Sequence, residues 1–192
     1  MEGALMDMTT WVDSPLGRIL LACDDVGLTG LWFDGQRYFA RGLAPGAERR
    51  DDAPAFAAAE AWLDAYFAGE RPDPSSVPLH PRGTPFQRKV WDRLIAVPYG
   101  STATYGAIAA SIAVPPAEET VDETTDTVVR RVSARAVGGA VGCNPISLIV
   151  PCHRVVAASG ALTGYAGGVD RKRRLLAWEG GDPTAFAGPV IP

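Results

Sequence analysis

A proline-rich stretch near the middle of the chain limits its possible folds more than any other feature. Residues Arg71–Pro81 contain four prolines. Proline lacks a backbone N–H and fixes its own φ angle, so neither a helix nor a central strand runs through such a stretch. The chain has 192 residues, which suits one large domain or two small ones. We predict two domains, residues 1–73 and 82–192, joined by a linker at residues 74–81.

The first part has the pattern of a small sheet followed by a helix. Turn-forming sequences separate three short β-prone runs, which are Thr9–Val12, Arg18–Cys23 and Leu28–Phe33. Apolar residues at helical spacing then predict a helix over Ala53–Ala68, with Gly69 as its C-terminal cap. The pattern therefore predicts a small α/β domain with a short antiparallel sheet.

The second part has mostly helical patterns. Thr84 followed by Pro85 is typical of a helix start, and an apolar stripe at helical spacing follows. Further helices are predicted over Thr104–Ala113, Ser133–Val141 and Asp170–Trp178. The fold class predicted for the whole chain is α+β, with a sheet-and-helix domain before a mostly helical one.

An acidic insertion, Val114–Val132, separates two of these helices. Its sequence PPAEETVDETTDT holds five acidic residues and no basic ones. Low hydrophobicity and high charge are typical of solvated loops, so a loop that projects away from the protein is predicted here.

Charge is distributed unevenly along the chain. The net charge is −4, which by itself argues against DNA binding. Residues 1–73 hold 13 acidic and 6 basic side chains, whereas residues 128–179 hold 8 basic and 2 acidic ones. One basic face on an acidic protein is compatible with phosphate contacts. From charge alone, chance asymmetry explains the pattern equally well.

Several classes of protein are excluded or disfavoured by the sequence. No apolar run reaches the length of a membrane span, and the first residues lack the pattern of a secretory signal, so a cytoplasmic protein is expected. The three cysteines are widely spaced and form no C-x-x-C pair, which argues against a disulfide framework and a metal site. Cys23 and Cys143 are interpreted as structural or incidental.

The pair Cys152-His153 is the candidate for nucleophilic chemistry. A cysteine reacts as its thiolate, and a nearby base favours that form. Cys152 follows an apolar run that ends in Pro151, which suits a rigidly held side chain. Adjacent side chains often point apart, however, so adjacency alone leaves a structural cysteine as the commoner interpretation.

Several motifs around this pair resemble those of one family, the O6-alkylguanine-DNA alkyltransferases. The run Pro151–Val155, P-C-H-R-V, matches the active-site signature of that family. The other matches are Asn144-Pro145, Arg135-Ala136-Val137-Gly138, the glycine-rich pairs Ser159-Gly160, Gly164-Tyr165 and Gly167-Gly168, and the glutamate Glu179. The likeness is dense from residue 82 to residue 179 and only general before that, and its several motifs in one order make it highly specific.

The resemblance implies a DNA repair enzyme that transfers an alkyl group, mainly methyl, from guanine O6 to its own Cys152. The transfer would be irreversible, so each molecule would react once. His153 would take the thiol proton through a water, and Glu179 would orient His153. Tyr105 would donate a proton or hydrogen bond to the departing guanine. No cofactor and no metal are implied.

The resemblance also implies how DNA is bound. The substrate would be duplex DNA with the damaged nucleotide flipped out, bound by a monomer, with cooperative binding left open. Helix 133–141 would be the recognition helix of a helix-turn-helix that enters the minor groove. The residues implied in DNA binding are Arg135, Ala136, Gly138, Tyr105 and Asn144, with Arg135 filling the gap left by the base. Those implied in the base pocket are Val155, Tyr165, Ala166, Ser147, Val141 and Lys172.

Two alternatives remain, and each has a sequence feature that argues against it. A non-catalytic lesion binder would lack the reactive cysteine, so Cys152 argues against this class. A helix-turn-helix regulator with an incidental cysteine is disfavoured by P-C-H-R-V, although the acidic insertion leaves this alternative open.

The sequence departs from the family pattern at that insertion and at Ser147, which stands where an apolar or small residue is common on the pocket wall.

Overall fold

The computed structural model describes residues 6–112, 132–182 and 184–186. Apart from Val132, the predicted acidic loop lies outside these residues, so its prediction is not tested. None of the helices in the described ranges has the length and apolar character that crossing a membrane requires.

The first part folds into the predicted sheet with one additional strand. Strands β1 (Met8–Val12), β2 (Ile19–Cys23) and β3 (Leu28–Phe33) pair in antiparallel fashion, β2 in the middle. A two-residue strand, β4 (Glu48–Arg49), pairs with β1 in parallel. The sheet is therefore mixed and not purely antiparallel, because two exposed polar residues carry no strand periodicity that the sequence shows.

One face of this sheet supports the core of the protein. Every residue of β2 and β3 is buried, and helix α1 (Pro54–Phe67) packs against both strands. On the opposite face Trp32 lies over Gly30, where an added Cβ atom would fall 1.8 Å from the indole ring. This glycine therefore makes room for the tryptophan.

The second part is helical, as its sequence pattern predicts. The helices are α2 (Pro85–Ile95), α3 (Tyr105–Ile112), α4 (Ala134–Gly142) and α5 (Val169–Glu179). Thr84 and Gln87 form a reciprocal capping box at the start of α2, which satisfies two backbone donors there. The indole of Trp91 donates to the carbonyl of Ala140 at 2.9 Å and so ties α4 to α2.

Helices α3 and α4 pack against each other. Residues 113–131, which form most of the chain between them, lie outside the described residues, so the helix-turn-helix stays a prediction. Two short strands, β5 (Ala103–Thr104) and β6 (Val155–Val156), pair in parallel beside α3. This pairing places the start of α3 next to the residues that follow Cys152.

The two parts of the chain share a continuous apolar core and backbone hydrogen bonds. The amide of Leu31 in β3 donates to the carbonyl of Pro145 at 2.8 Å, and the amide of Ser147 donates back to Leu31 at 2.9 Å. The predicted linker also pairs with β3, through bonds from Leu28 to Pro78 and from His80 to Leu28. The sheet therefore supports the segment that leads to Cys152.

Candidate active site

Cys152 is a nearly buried lining residue of a cavity of about 270 Å³ between the two parts of the chain. It begins a short 3-10 turn, Cys152–Arg154, directly after the buried run Leu148–Pro151. Only 3% of its surface is exposed. A ligand that reaches this sulfur must therefore enter the cavity, since the sulfur does not lie on the open surface.

Asn144 holds the sulfur from the end of α4. Its amide nitrogen lies 3.0 Å from Cys152 Sγ and 2.9 Å from the carbonyl oxygen of Val150. Its side-chain oxygen accepts from the amide of Ile146 at 3.0 Å. Asn144 thus connects the end of α4 to the cysteine turn.

The thiol of Cys152 is protonated at neutral pH. Burial raises its pKa to about 11, against the opposing effects of the Asn144 hydrogen bond and the Lys172 charge. Because a thiolate is the nucleophilic form, any reaction at this sulfur needs a base that removes the proton.

His153 and Glu179 form a buried pair beside this thiol. His153 Nε2 lies 2.7 Å from Glu179 Oε1, and the side chains of both residues are fully buried. Burial alone would raise the pKa of Glu179, but hydrogen bonds from His153 and Arg154 outweigh burial and lower the pKa to about 2. Glu179 is therefore a carboxylate at neutral pH.

The ionised carboxylate fixes the tautomer of His153. Burial lowers the pKa of His153 in spite of the neighbouring Glu179 charge, so the ring is neutral at neutral pH. A carboxylate only accepts hydrogen bonds, so the single ring proton must lie on Nε2. Nδ1 then keeps its lone pair, and among the described residues this buried atom has no hydrogen-bond partner. His153 is thus prepared to accept a proton at Nδ1.

Three further residues donate to Glu179: the backbone amide of Gly100, at 3.1 Å from Oε2, and the side chains of Arg154 and Tyr66, for which no role was predicted. Arg154 is 6% exposed and donates to Glu179 through Nε at 2.9 Å and Nη2 at 3.0 Å. Tyr66, in α1, donates its hydroxyl to Glu179 Oε1 at 2.9 Å. Arg154 belongs to the P-C-H-R-V run, so its position in the motif was an available signal. Tyr66 carries no comparable signal.

The cavity wall contains three of the six residues implied in the base pocket, together with two of those implied in DNA binding. Of the implied set, the wall includes Tyr105, Gly138, Val141, Tyr165 and Ala166. The hydroxyl of Tyr105 donates to the carbonyl of Thr163 at 3.2 Å. Burial and the proximity of Cys152 raise the pKa of Tyr105, so this phenol remains protonated and able to donate.

Three residues implied in the pocket, Val155, Ser147 and Lys172, are fully buried and are not among the residues that line the cavity. Lys172 Nζ donates to the carbonyls of Val155 at 2.5 Å and Thr163 at 3.0 Å, so its ammonium group connects the segment after Cys152 to the glycine-rich stretch. Ser147 is fully buried, since its segment pairs with β3 and its hydroxyl lies 3.2 Å from Gln36 Oε1. The placement of Ser147 on the pocket wall is therefore corrected.

The first part of the chain also contributes to the cavity, although no residue of this part was predicted at the site. Arg37 and Tyr38, in the loop after β3, line the cavity beside Tyr165. The amide of Arg37 donates to the carbonyl of Ala166 at 2.8 Å. The loop is thereby attached to the glycine-rich stretch, which also lines the cavity.

The first turn of α4 faces away from the core. Arg135 and Ala136 are exposed, while Gly138 and Gly139 lie at the cavity. Ser133 caps the helix by accepting from the amide of Ala136 at 3.1 Å. The exposed arginine and the cysteine cavity are thus carried by one helix.

Two family models together match most of the chain. The model described as 6-O-methylguanine DNA methyltransferase, ribonuclease-like domain, matches residues 8–81. The model described as 6-O-methylguanine DNA methyltransferase, DNA binding domain, matches residues 85–181.

Named relatives and solved structures agree with these matches. The methylated-DNA–protein-cysteine methyltransferase of Mycolicibacterium paratuberculosis is 46% identical over 88% of this chain and 89% of its own length. That of Haemophilus influenzae is 38% identical, over 88% of this chain and 84% of its own. The crystal structure of Mycobacterium tuberculosis OGT in complex with DNA superposes with a TM-score of 0.70 at 41% identity, covering 93% of this chain and 96% of that one.

Proposed function

The chain belongs to the 6-O-methylguanine DNA methyltransferase family, and from this membership we propose that Cys152 is the residue that takes the alkyl group. The protein is a DNA repair enzyme that transfers an alkyl group from DNA to a cysteine of its own chain. The observation that carries the assignment to Cys152 is its place in the lining of the cavity, next in sequence to the buried His153–Glu179 pair.

The proposed reaction begins with the thiol proton. His153 Nδ1 accepts this proton through a water, and the charge of Glu179 stabilises the imidazolium that results. Cys152 Sγ then attacks the alkyl carbon on guanine O6. The carbon–oxygen bond breaks with its electron pair on the guanine, where Tyr105 donates a hydrogen bond or proton. The products are a thioether on Cys152 and repaired guanine.

Access to the base follows from the depth of the sulfur. The O6 substituent of a stacked guanine does not reach a buried sulfur in the cavity, so the nucleotide must be flipped out of the duplex, at a cost of a few kcal/mol. We assign this step to α4, which carries exposed Arg135 in its first turn and small residues at the cavity. Minor-groove contacts read sequence poorly, which suits repair at any site.

The stoichiometry of the reaction tests the proposal directly. Water at neutral pH does not displace an alkyl group from a thioether, so each molecule is expected to react once. Intact mass after incubation with excess duplex DNA that carries O6-methylguanine should show one added methyl group, and peptide mapping should locate it on Cys152. Repeated turnover, or a methyl group on another residue, would contradict the assignment.

The role of Arg135 gives a second test, by comparison of two substrates. If Arg135 occupies the space of the flipped base, Arg135→Ala should slow transfer from duplex DNA about tenfold or more, since flipping costs a few kcal/mol. Transfer from free O6-methylguanine should change less than about twofold, because the free base needs no flipping. Single-turnover rates on both substrates measure the difference.

Arg49→Ala is the matched control for Arg135→Ala. It removes another exposed arginine, in β4, whose ion pair with Asp51 spans 3.4 Å. This variant should react with both substrates at the unaltered rate. Equal losses on duplex and free base in Arg135→Ala would show instead that Arg135 supports the fold of the site.

A further inference from the structure

One hydrogen bond to the active-site carboxylate comes from the first part of the chain. Tyr66 lies in α1, within the range matched by the ribonuclease-like model, whereas Glu179 lies within the range of the DNA-binding model. The Tyr66 hydroxyl donates to Glu179 Oε1 at 2.9 Å. The same oxygen lies 2.7 Å from His153 Nε2. Arg154 Nη2 donates to this oxygen as well, at 3.0 Å. Three donors therefore share one oxygen, and Tyr66 is the one that comes from the first part of the chain.

The ring of Tyr66 is held in place on several sides. It is fully buried, stacks on Trp62 with centroids 5.2 Å apart, and meets Phe67 and Tyr99 edge-on at 5.3 and 5.9 Å. Burial and the Glu179 charge raise its pKa well above the ordinary value. The hydroxyl therefore stays protonated and offers the carboxylate a rigid donor.

We propose that Tyr66 is a positioning residue for the alkyl transfer, which together with Arg154 fixes the rotation of the Glu179 carboxylate and shares the charge of Oε1 with His153. This inference rests on the proposed function of Cys152 and His153. It makes the first part of the chain a contributor to the chemical step, because the hydroxyl acts on the carboxylate that orients the base.

The charged groups around this network decide the expected pH effect. Glu179 faces Tyr66, His153 and Arg154, and His153 also senses the charge of Lys172. The described cations, Arg154 and Lys172, oppose protonation of His153, while Glu179 favours it. Removal of the Tyr66 hydroxyl leaves more negative charge on Oε1 for His153. The pKa of His153 should rise, so the imidazole is lost as a base at a higher pH.

The test compares Tyr66→Phe with Tyr99→Phe. Tyr99 packs edge-on against Tyr66, yet no described hydrogen bond joins it to Glu179. Single-turnover transfer from a duplex with one O6-methylguanine is measured from pH 5.5 to 9. Tyr66→Phe should react about tenfold more slowly at neutral pH, as for loss of a hydrogen bond to a charged group. Its acid limb should move to higher pH, whereas Tyr99→Phe should retain the rate and profile of the unaltered protein.

A double variant separates positioning from a general effect on folding. In a Glu179→Gln background, Tyr66→Phe should slow the reaction no further, because the hydroxyl acts through the carboxylate. Additive losses, or a Tyr66→Phe profile that matches Tyr99→Phe, would overturn the inference. Failure of the proposed function looks different, since the methyl group would then be absent from Cys152 in every variant, the unaltered protein included.

Discussion

Replacement of Cys152 by alanine is expected to reduce alkyl transfer to the uncatalysed background, the largest effect that we expect from any single substitution. No other described thiol lines the cavity, where Asn144 contacts the sulfur at 3.0 Å. Loss of the nucleophile cannot be compensated by the base or by DNA contacts, because the alkyl group has no acceptor. Intact mass after incubation with methylated duplex measures the result, and DNA affinity should persist.

The two remaining cysteines are the matched controls for Cys152→Ala. Cys143, at the end of α4, is half-buried, and its sulfur accepts a hydrogen bond from Arg41 Nη1 at 3.1 Å. Because it is more exposed than Cys152, exposure alone would make Cys143 the better nucleophile. Cys23 lies in β2, and burial, with nearby carboxylates, raises its pKa to about 11. Cys143→Ala and Cys23→Ala should each still take one methyl group. A methyl group on Cys143 in the unaltered protein would show that exposure, and not the cavity, selects the nucleophile.

Local patterns in the sequence were sufficient for most of the fold. The predicted run Leu28–Phe33 is β3 without change, and Thr84-Pro85 starts α2 where the capping signal predicts. Both depend on neighbours in sequence, which propensity and capping describe well. Strand β4 depends on pairing with β1, some 40 residues away, and its two exposed residues have no periodicity of their own.

In the candidate site, too, the residues within sequence motifs could be predicted, whereas those that depend on long-range contacts could not. Cys152, His153 and Glu179 were found through the resemblance of their motifs, and the structure brings His153 and Glu179 into contact. The Tyr66–Glu179 bond joins residues 113 positions apart. Within α1, Tyr66 fits the apolar stripe of an ordinary core helix, so its hydroxyl acquires a role only through tertiary packing.

Ser147 illustrates the opposite error. Its place in the motif suggested a side chain on the pocket wall, but backbone pairing with β3 buries its segment, and Ser147 does not line the cavity. The pairing partner, Leu31, lies in the other part of the chain. The direction of a side chain in an irregular segment depends on such long-range contacts, which a motif match does not describe.

Arg154→Met is expected to lower the free energy of unfolding by about 3–5 kcal/mol, as found when one partner of a buried ion pair is removed. Arg154 supplies two of the hydrogen bonds to Glu179, and its third side-chain nitrogen, Nη1, donates to the carbonyl of Val97 at 2.7 Å. Methionine fills similar space but leaves the buried carboxylate without its cation. Urea unfolding at pH 7 measures the loss. The control, Arg173→Met, removes an exposed arginine 3.4 Å from Asp170 and should change stability by less than about 1 kcal/mol.

The pH dependence distinguishes lost charge pairing from lost packing in Arg154→Met. In the folded protein the pKa of Glu179 is about 2, below its ordinary value of 4.5. A carboxyl group whose pKa is lowered on folding stabilises the protein at pH values above its ordinary pKa of 4.5. That stability is lost as the pH falls from about 4.5 towards 2. Without Arg154 the pKa of Glu179 in the folded protein should lie closer to 4.5, so the variant has less of this stability to lose.

The difference in unfolding free energy between the unaltered protein and Arg154→Met should therefore narrow on acidification from pH 7 to about 3.5. A constant difference across this range would mean that Arg154 stabilises the protein through packing, because a packing loss does not depend on the ionisation of Glu179.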